Sequence, residues 1–156
     1  MSTPASVARH PIHPMLVGVP IGLWVFSVAA DLIAYFGWGR AVWKDVAFYA
    51  IGGGIVGALL AAVPGFIDYL SITDTRARKV GFVHMIANLT AVGVFAVSFW
   101  LRWSGTVGFL PAGVSLAGLV ALALAGWLGG ELVFVHSMGV KPPRSAPRSG
   151  SERRIA

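Results

Sequence analysis

Four apolar runs dominate this chain: Met15 to Gly37, Val46 to Ile67, Val80 to Leu101 and Phe109 to His136. Each is long enough to cross a hydrocarbon core of about 30 Å, which takes roughly 20 helical residues. Inside lipid only helices and closed barrels satisfy every backbone N–H and C=O, and unbroken apolar runs of this length read as helices. Within the runs only Asp31 and Glu131 carry full charge. Composition agrees, with 12% charged residues against about 25% in an ordinary soluble domain.

The connections, residues 38–45, 68–79 and 102–108, are short, and short links make sequential helices antiparallel. The expected fold class is therefore all-α: an integral membrane four-helix bundle, up-down-up-down, with spans at about 15–37, 46–67, 80–101 and 109–136. Residues 1–14 form an N-terminal His-Pro segment, 15–137 the membrane domain, and 138–156 a basic tail expected to be disordered and cytoplasmic. The first run exceeds the roughly 7–15 residues of a signal-peptide core, so it is expected to stay in the mature protein. No internal repeat is evident.

Even-numbered spans return both termini to one side. That side collects Arg9, Arg76, Arg78, Lys79, Lys141, Arg144, Arg148, Arg153 and Arg154, against Arg40, Lys44 and Arg102 opposite. The positive-inside rule makes the first side cytoplasmic and the location a bacterial inner membrane. Trp38, Trp43, Trp100 and Trp103 fall where indole rings favour the headgroup layer. Small residues four apart, such as Gly18 and Gly22 or Gly126 and Gly130, allow close helix approach.

The absence of cysteine excludes disulfides, iron–sulfur clusters and a c-type haem attachment. Histidine is then the main chemical resource. His10 and His13 lie in "HPIHP" just before the first span, His84 about one turn into the third, and His136 at the end of the fourth. The topology gathers all four at the cytoplasmic end with Asp68 and Glu131. A residue before proline is pushed from the α region, so His10 and His13 are expected in an extended or turn conformation, with Pro14 opening the first helix. Asn88 shares a helix face with His84 and is placed to bond its ring or a neighbouring backbone.

The stretches "HPIHPMLVGVPIGLW", "TRARKVGFVHMIAN" and "GGELVFVHSMGV" resemble a bacterial membrane family catalogued as domain of unknown function 2231, over roughly residues 9–140. Ser137 stands where that resemblance leads one to expect glycine. Members are sometimes joined to Rieske-type or cytochrome c domains, which implies a setting in electron transfer.

Imidazole is the commonest biological metal ligand, and a ligating ring usually gives its other N–H to a carboxylate or carbonyl. One reading is a single b-type haem with His84 and His136 as axial ligands, His10 and His13 nearby, and Asp68, Glu131 and Asn88 supporting the rings. A second is a zinc, copper or iron ion held by His10, His13, His84, His136, Asp68 and Glu131. A third, cofactor-free, is a polar network at helix ends. Transport is a separate class, motivated by Asp31 within a span, although Tyr35, Tyr49, Lys44 and Arg102 lie in reach to pair with it. No nucleophile elbow or phosphate-binding glycine loop supports an enzyme. The partners expected are the lipid bilayer, a redox protein and further copies of the chain in a homo-oligomer, and nothing points to nucleic acid.

Overall fold

The computed structural model describes residues 3–8, 10–37 and 39–140. Arg9, Trp38 and the tail beyond Val140, including Lys141 and its basic neighbours, lie outside the described residues, as does the expectation of disorder placed on that tail. A two-residue antiparallel ladder, β1 (Ser6–Val7) with β2 (His10–Pro11), leads into α1 (Ile12–Leu16) and α2 (Gly18–Tyr35). Then follow α3 (Arg40–Leu70), α4 (Thr75–Trp103) and α5 (Leu110–Phe134). With α1 and α2 as one span, Ile12–Tyr35, four helical stretches are long and apolar enough to cross a membrane.

Local chemistry accounts for the breaks. Pro20 has no N–H to give the Leu16 carbonyl, and the chain interrupts its helix at Val17, between α1 and α2. Asp74 caps α4 by accepting a 2.7 Å bond from the Ala77 N–H, a role suited to its short carboxylate. The observed α3 and α4 extend past the apolar runs at both ends. At 1.5 Å per residue they reach roughly 45 Å, enough to continue into the headgroup layers.

His13 differs from the expectation. It lies inside α1, whose first residue is Ile12 and which carries Pro14 in its first turn. Proline is tolerated there because first-turn N–H groups have no helical partner. The pre-proline bias against α is overcome in a context where the His13 ring bonds a neighbouring helix, as described below.

Around the bundle the order is α2, α3, α4, α5, with α2 packed closely on α3 and α4 on α5. The large side chains of the diagonal pair α2 and α4 fill the centre. Trp24 stacks on Phe95 with centroids 4.3 Å apart and planes within 8°. Ile51, Ala91 and Leu122 complete this dry core. An aromatic stack of this kind adds about 0.5–1.5 kcal/mol beyond area burial.

These contacts expose a repeat that the sequence reading missed. Three pairs of residues meet across the centre in the same order along α1–α2 and α4: His13 with His84, Trp24 with Phe95, and Asp31 with Arg102. In each pair the second residue follows the first by 71 positions. Buried Ser27 and Ser98 keep the same spacing. The partner helices repeat as well: Gly54, Ala61 and Gly65 of α3 have the spacing of Gly118, Ala125 and Gly129 of α5. The molecule is two antiparallel hairpins, α1–α2–α3 and α4–α5, related by a pseudo-twofold axis along the bundle. Direct parallel repeats of this kind occur among membrane proteins.

Candidate functional site

At the end of the bundle where α1 and α4 begin, the repeat builds the same seat twice. In the first hairpin the His13 Nδ1–H donates to the Ala61 carbonyl at 2.8 Å. A carbonyl oxygen only accepts, so the ring proton is on Nδ1 and the lone pair on Nε2. Gly65, one turn further along α3, makes the room: a Cβ there would lie 2.7 Å from His13 Nδ1. In the second hairpin the His84 Nδ1–H donates to the Ala125 carbonyl at 2.9 Å, and a Cβ on Gly129 would lie 3.0 Å from His84 Cε1. Each imidazole is thus fixed in tautomer by an alanine carbonyl and fitted over a glycine.

The two rings then face each other across the axis, centroids 6.3 Å apart and planes at 89°. The Asn88 amide lies against His84. Its Nδ2 donates to the His84 carbonyl at 2.8 Å and lies over the face of the His84 ring, 3.1 Å from Nε2 and 3.4 Å from Nδ1. Of the two partners expected for Asn88, the His84 ring or a neighbouring backbone, it bonds the backbone, and that carbonyl oxygen fixes which end of the amide is nitrogen.

The other candidates take separate places. His10 is exposed and its Nδ1–H donates to the Ala8 carbonyl at 3.0 Å. Asp68 is buried at 7% exposure and its Oδ1 accepts the Ala5 N–H at 3.0 Å, tying the N-terminal arm to the end of α3. Glu131 lines a shallow groove with Trp127 and Phe134. His136 lies past the end of α5, its N–H bonded to the Glu131 carbonyl at 3.2 Å. Next to it Ser137 adopts φ +52°, while the Met138 N–H returns to the Leu132 carbonyl. That is the helix-end geometry glycine favours, which explains in physical terms why glycine is expected there. Among the described residues no group of three or more His, Cys, Asp or Glu is arranged to hold a metal ion. Two imidazoles converge, and alanine carbonyls, rather than carboxylates, hold their Nδ1 protons.

At the opposite end of the axis the intramembrane acid has its partner. Arg102 makes a bidentate contact with Asp31, 2.9 Å from Nη1 to Oδ1 and 2.6 Å from Nη2 to Oδ2. The two side chains are 11% and 8% exposed. Arg102 also donates to Ser98 and Ser115, whose hydroxyls share a 2.7 Å bond. The pairing with Arg102 is the structural role for Asp31 that the sequence allowed.

Sequence reasoning missed the seats. The signal was present: a histidine followed at fixed spacing by glycine, a large aromatic and serine in both first helices, and glycine, alanine and glycine at fixed spacing in both second helices.

Four apolar spans around a polar-ended, aromatic-centred axis define a multi-pass membrane protein of the four-helix class. The family comparison is specific. Residues 9–142 match the model of the family described as predicted membrane protein (DUF2231), and the chain belongs to that family. Neither a curated protein nor a solved structure matches it.

Proposed function

We propose that this chain is a membrane redox protein that holds one metal centre on the pseudo-twofold axis, between His13 and His84. The observation that carries this reading is the pair of equivalent, tautomer-fixed imidazoles 6.3 Å apart. His13 and His84 would hold the centre, and imidazole–metal bonds of about 2.0 Å are compatible with rings this far apart. Pinning of the second nitrogen to a carbonyl is what ligating histidines usually show.

A protein shell of two imidazoles leaves the remaining coordination sites to another donor set, and a porphyrin supplies one; haem b is therefore the version we favour over a bare zinc, copper or iron ion. When bound, such a group would supply one-electron chemistry. The chain's own residues do the rest: His13 and His84 hold and orient the centre, Gly65 and Gly129 admit their rings, and the carbonyls of Ala61 and Ala125 strengthen them as donors. The Asn88 amide, bonded to the His84 carbonyl and lying over the face of the ring, leaves the in-plane lone pair on Nε2 to the centre. In this reading the centre lies near the cytoplasmic face, both termini are cytoplasmic, the membrane is a bacterial inner membrane, and a separate redox protein exchanges the electron.

A second reading has its own observation. Each ring is already held by a carbonyl of its own hairpin, Ala61 or Ala125, and Asn88 packs over the face of His84, so the pair also fits a cofactor-free network between the hairpins. Absorption spectra of the detergent-purified protein, air-oxidised and then dithionite-reduced, together with metal analysis, separate the two. Soret and α bands lost in His13→Ala and in His84→Ala support haem. A stoichiometric ion lost in the same variants supports the bare metal. Neither bands nor metal in the freshly isolated protein, even after haem supplementation of the culture, leaves the network.

A further inference from the structure

We propose that the end of the bundle opposite the histidines binds the headgroup of a quinone-class lipid in the cavity above the Asp31–Arg102 pair. This site does not depend on the histidine reading. The cavity has a volume of about 800 Å³, within the roughly 300–1,000 Å³ of ligand pockets.

Its lining selects a chemical class. The charged residues on the lining, Asp31, Arg102, Lys44 and Asp45, sum to zero, so no net charge selects an anion or a cation. A neutral ligand follows. Phe48, Tyr49 and Trp103 provide aromatic wall, with Phe48 and Trp103 nearly parallel at 6.2 Å and 28°. Tyr35 and Phe109 meet edge to face at 6.3 Å on another part of the lining. Surfaces of this kind suit a flat ring.

The polar groups favour an acceptor. A guanidinium has five N–H bonds; Arg102 directs them to Asp31 twice, to Ser98 and to Ser115, which leaves one on Nη1. Lys44 and the hydroxyls of Tyr35 and Tyr49 add further donors to the same lining. Asp31 has both oxygens engaged by Arg102, which leaves Asp45 as the other carboxylate on the lining, outnumbered by the donors of Arg102, Lys44 and the two tyrosines. A neutral, planar molecule with carbonyl acceptors and an apolar tail that stays in the bilayer meets all these conditions, and a quinone is that molecule.

The test uses the full chain in quinone-free lipid nanodiscs, titrated with decylubiquinone while tryptophan emission is read. The expected result is a saturable quenching component that disappears in Trp103→Phe, because the indole at the wall is its reporter. In Tyr49→Ala the same component should need roughly three- to tenfold more quinone, the worth of one lost aromatic contact. Tyr49 is 73% exposed, so its truncation leaves the core intact, and Tyr35→Ala repeats the measurement at a second wall. Quenching that rises linearly without saturation, titrations unchanged in both tyrosine variants, or displacement of the probe by decanol as effective as by excess quinone would each overturn the proposal. The last result would identify a groove for acyl tails.

Discussion

Asp31 and Arg102 occupy equivalent positions in the two hairpins and are each other's ion-pair partner. Everywhere else on the axis the repeat sets like against like: histidine on histidine, aromatic on aromatic. Here it sets opposite charges, so the first hairpin is complementary to the second and not to another copy of itself. Buried polar contacts have fixed register and partner choice in other assemblies. Asp31→Arg or Arg102→Asp places like charges where a bond stood, and removing one partner of a buried pair costs about 3–5 kcal/mol. The exchanged double variant, Asp31→Arg with Arg102→Asp, should recover most of that loss in thermal unfolding followed in detergent. A double variant no more stable than the worse single one would show that surroundings such as Ser98 and Ser115, and not the pair, set the requirement.

The glycine seats give a graded series. A Cβ at Gly65 meets His13 Nδ1 at 2.7 Å, one at Gly129 meets His84 Cε1 at 3.0 Å, and one at Gly126 meets nothing within 4 Å. Gly65→Ala should therefore displace the ring and break its bond to Ala61, at about 1–3 kcal/mol for overpacking. Gly129→Ala should cost less, and Gly126→Ala should be neutral or gain up to about 1 kcal/mol in helix propensity. Unfolding midpoints ranked in any other order would contradict the close fit of the rings.

How much of this was legible beforehand follows from the forces involved. Four spans and their antiparallel order were readable because lipid imposes length and apolarity on every segment. That Asp31 would have a partner among Tyr35, Tyr49, Lys44 and Arg102 was readable because an unpaired charge is so costly there; which of the four was not. The repeat was not, because a bundle core asks only for volume and polarity at each position. Trp24 answers to Phe95 and Asp31 to Arg102 without identity between them, and the loops between paired helices differ in length. The seats were hidden for a related reason: their acceptors are backbone carbonyls, which any residue supplies, so only the neighbouring glycines mark them. The gathering of four histidines at one end came from topology alone, and topology does not say that the His10 ring turns to the Ala8 carbonyl while the His13 ring enters the bundle.

Orientation is a separate prediction. Among the described residues Arg76, Arg78 and Lys79 lie on the exposed first turns of α4, at the histidine end, and the positive-inside rule assigns that end to the cytoplasm. A green fluorescent protein fused after Ala156 should fluoresce, and an alkaline phosphatase fused there should be inactive, with the opposite result for fusions in the 104–108 loop. Active phosphatase after Ala156 would turn the molecule over and move the histidine pair to the outer face.

Asn88 separates the two readings of the histidine pair. Its Nδ2 donates to the His84 carbonyl at 2.8 Å and lies over the ring, 3.1 Å from Nε2 and 3.4 Å from Nδ1. In a cofactor-free network that amide is one of the polar contacts holding the ring, and Asn88→Leu should cost about 1 kcal/mol, since hydrogen bonds within membrane bundles average about 0.6 kcal/mol and reach about 1.7. In a metal-binding site the ligand is the in-plane lone pair on Nε2, which the amide does not occupy, so Asn88→Leu should leave cofactor content equal to the parent. The measurement is cofactor content and unfolding midpoint on the same preparation, with His84→Ala beside it. Content preserved in Asn88→Leu and lost in His84→Ala supports ligation through Nε2. Content lost equally in both would make Asn88 part of the binding shell and overturn the assignment of Nε2 as the free donor.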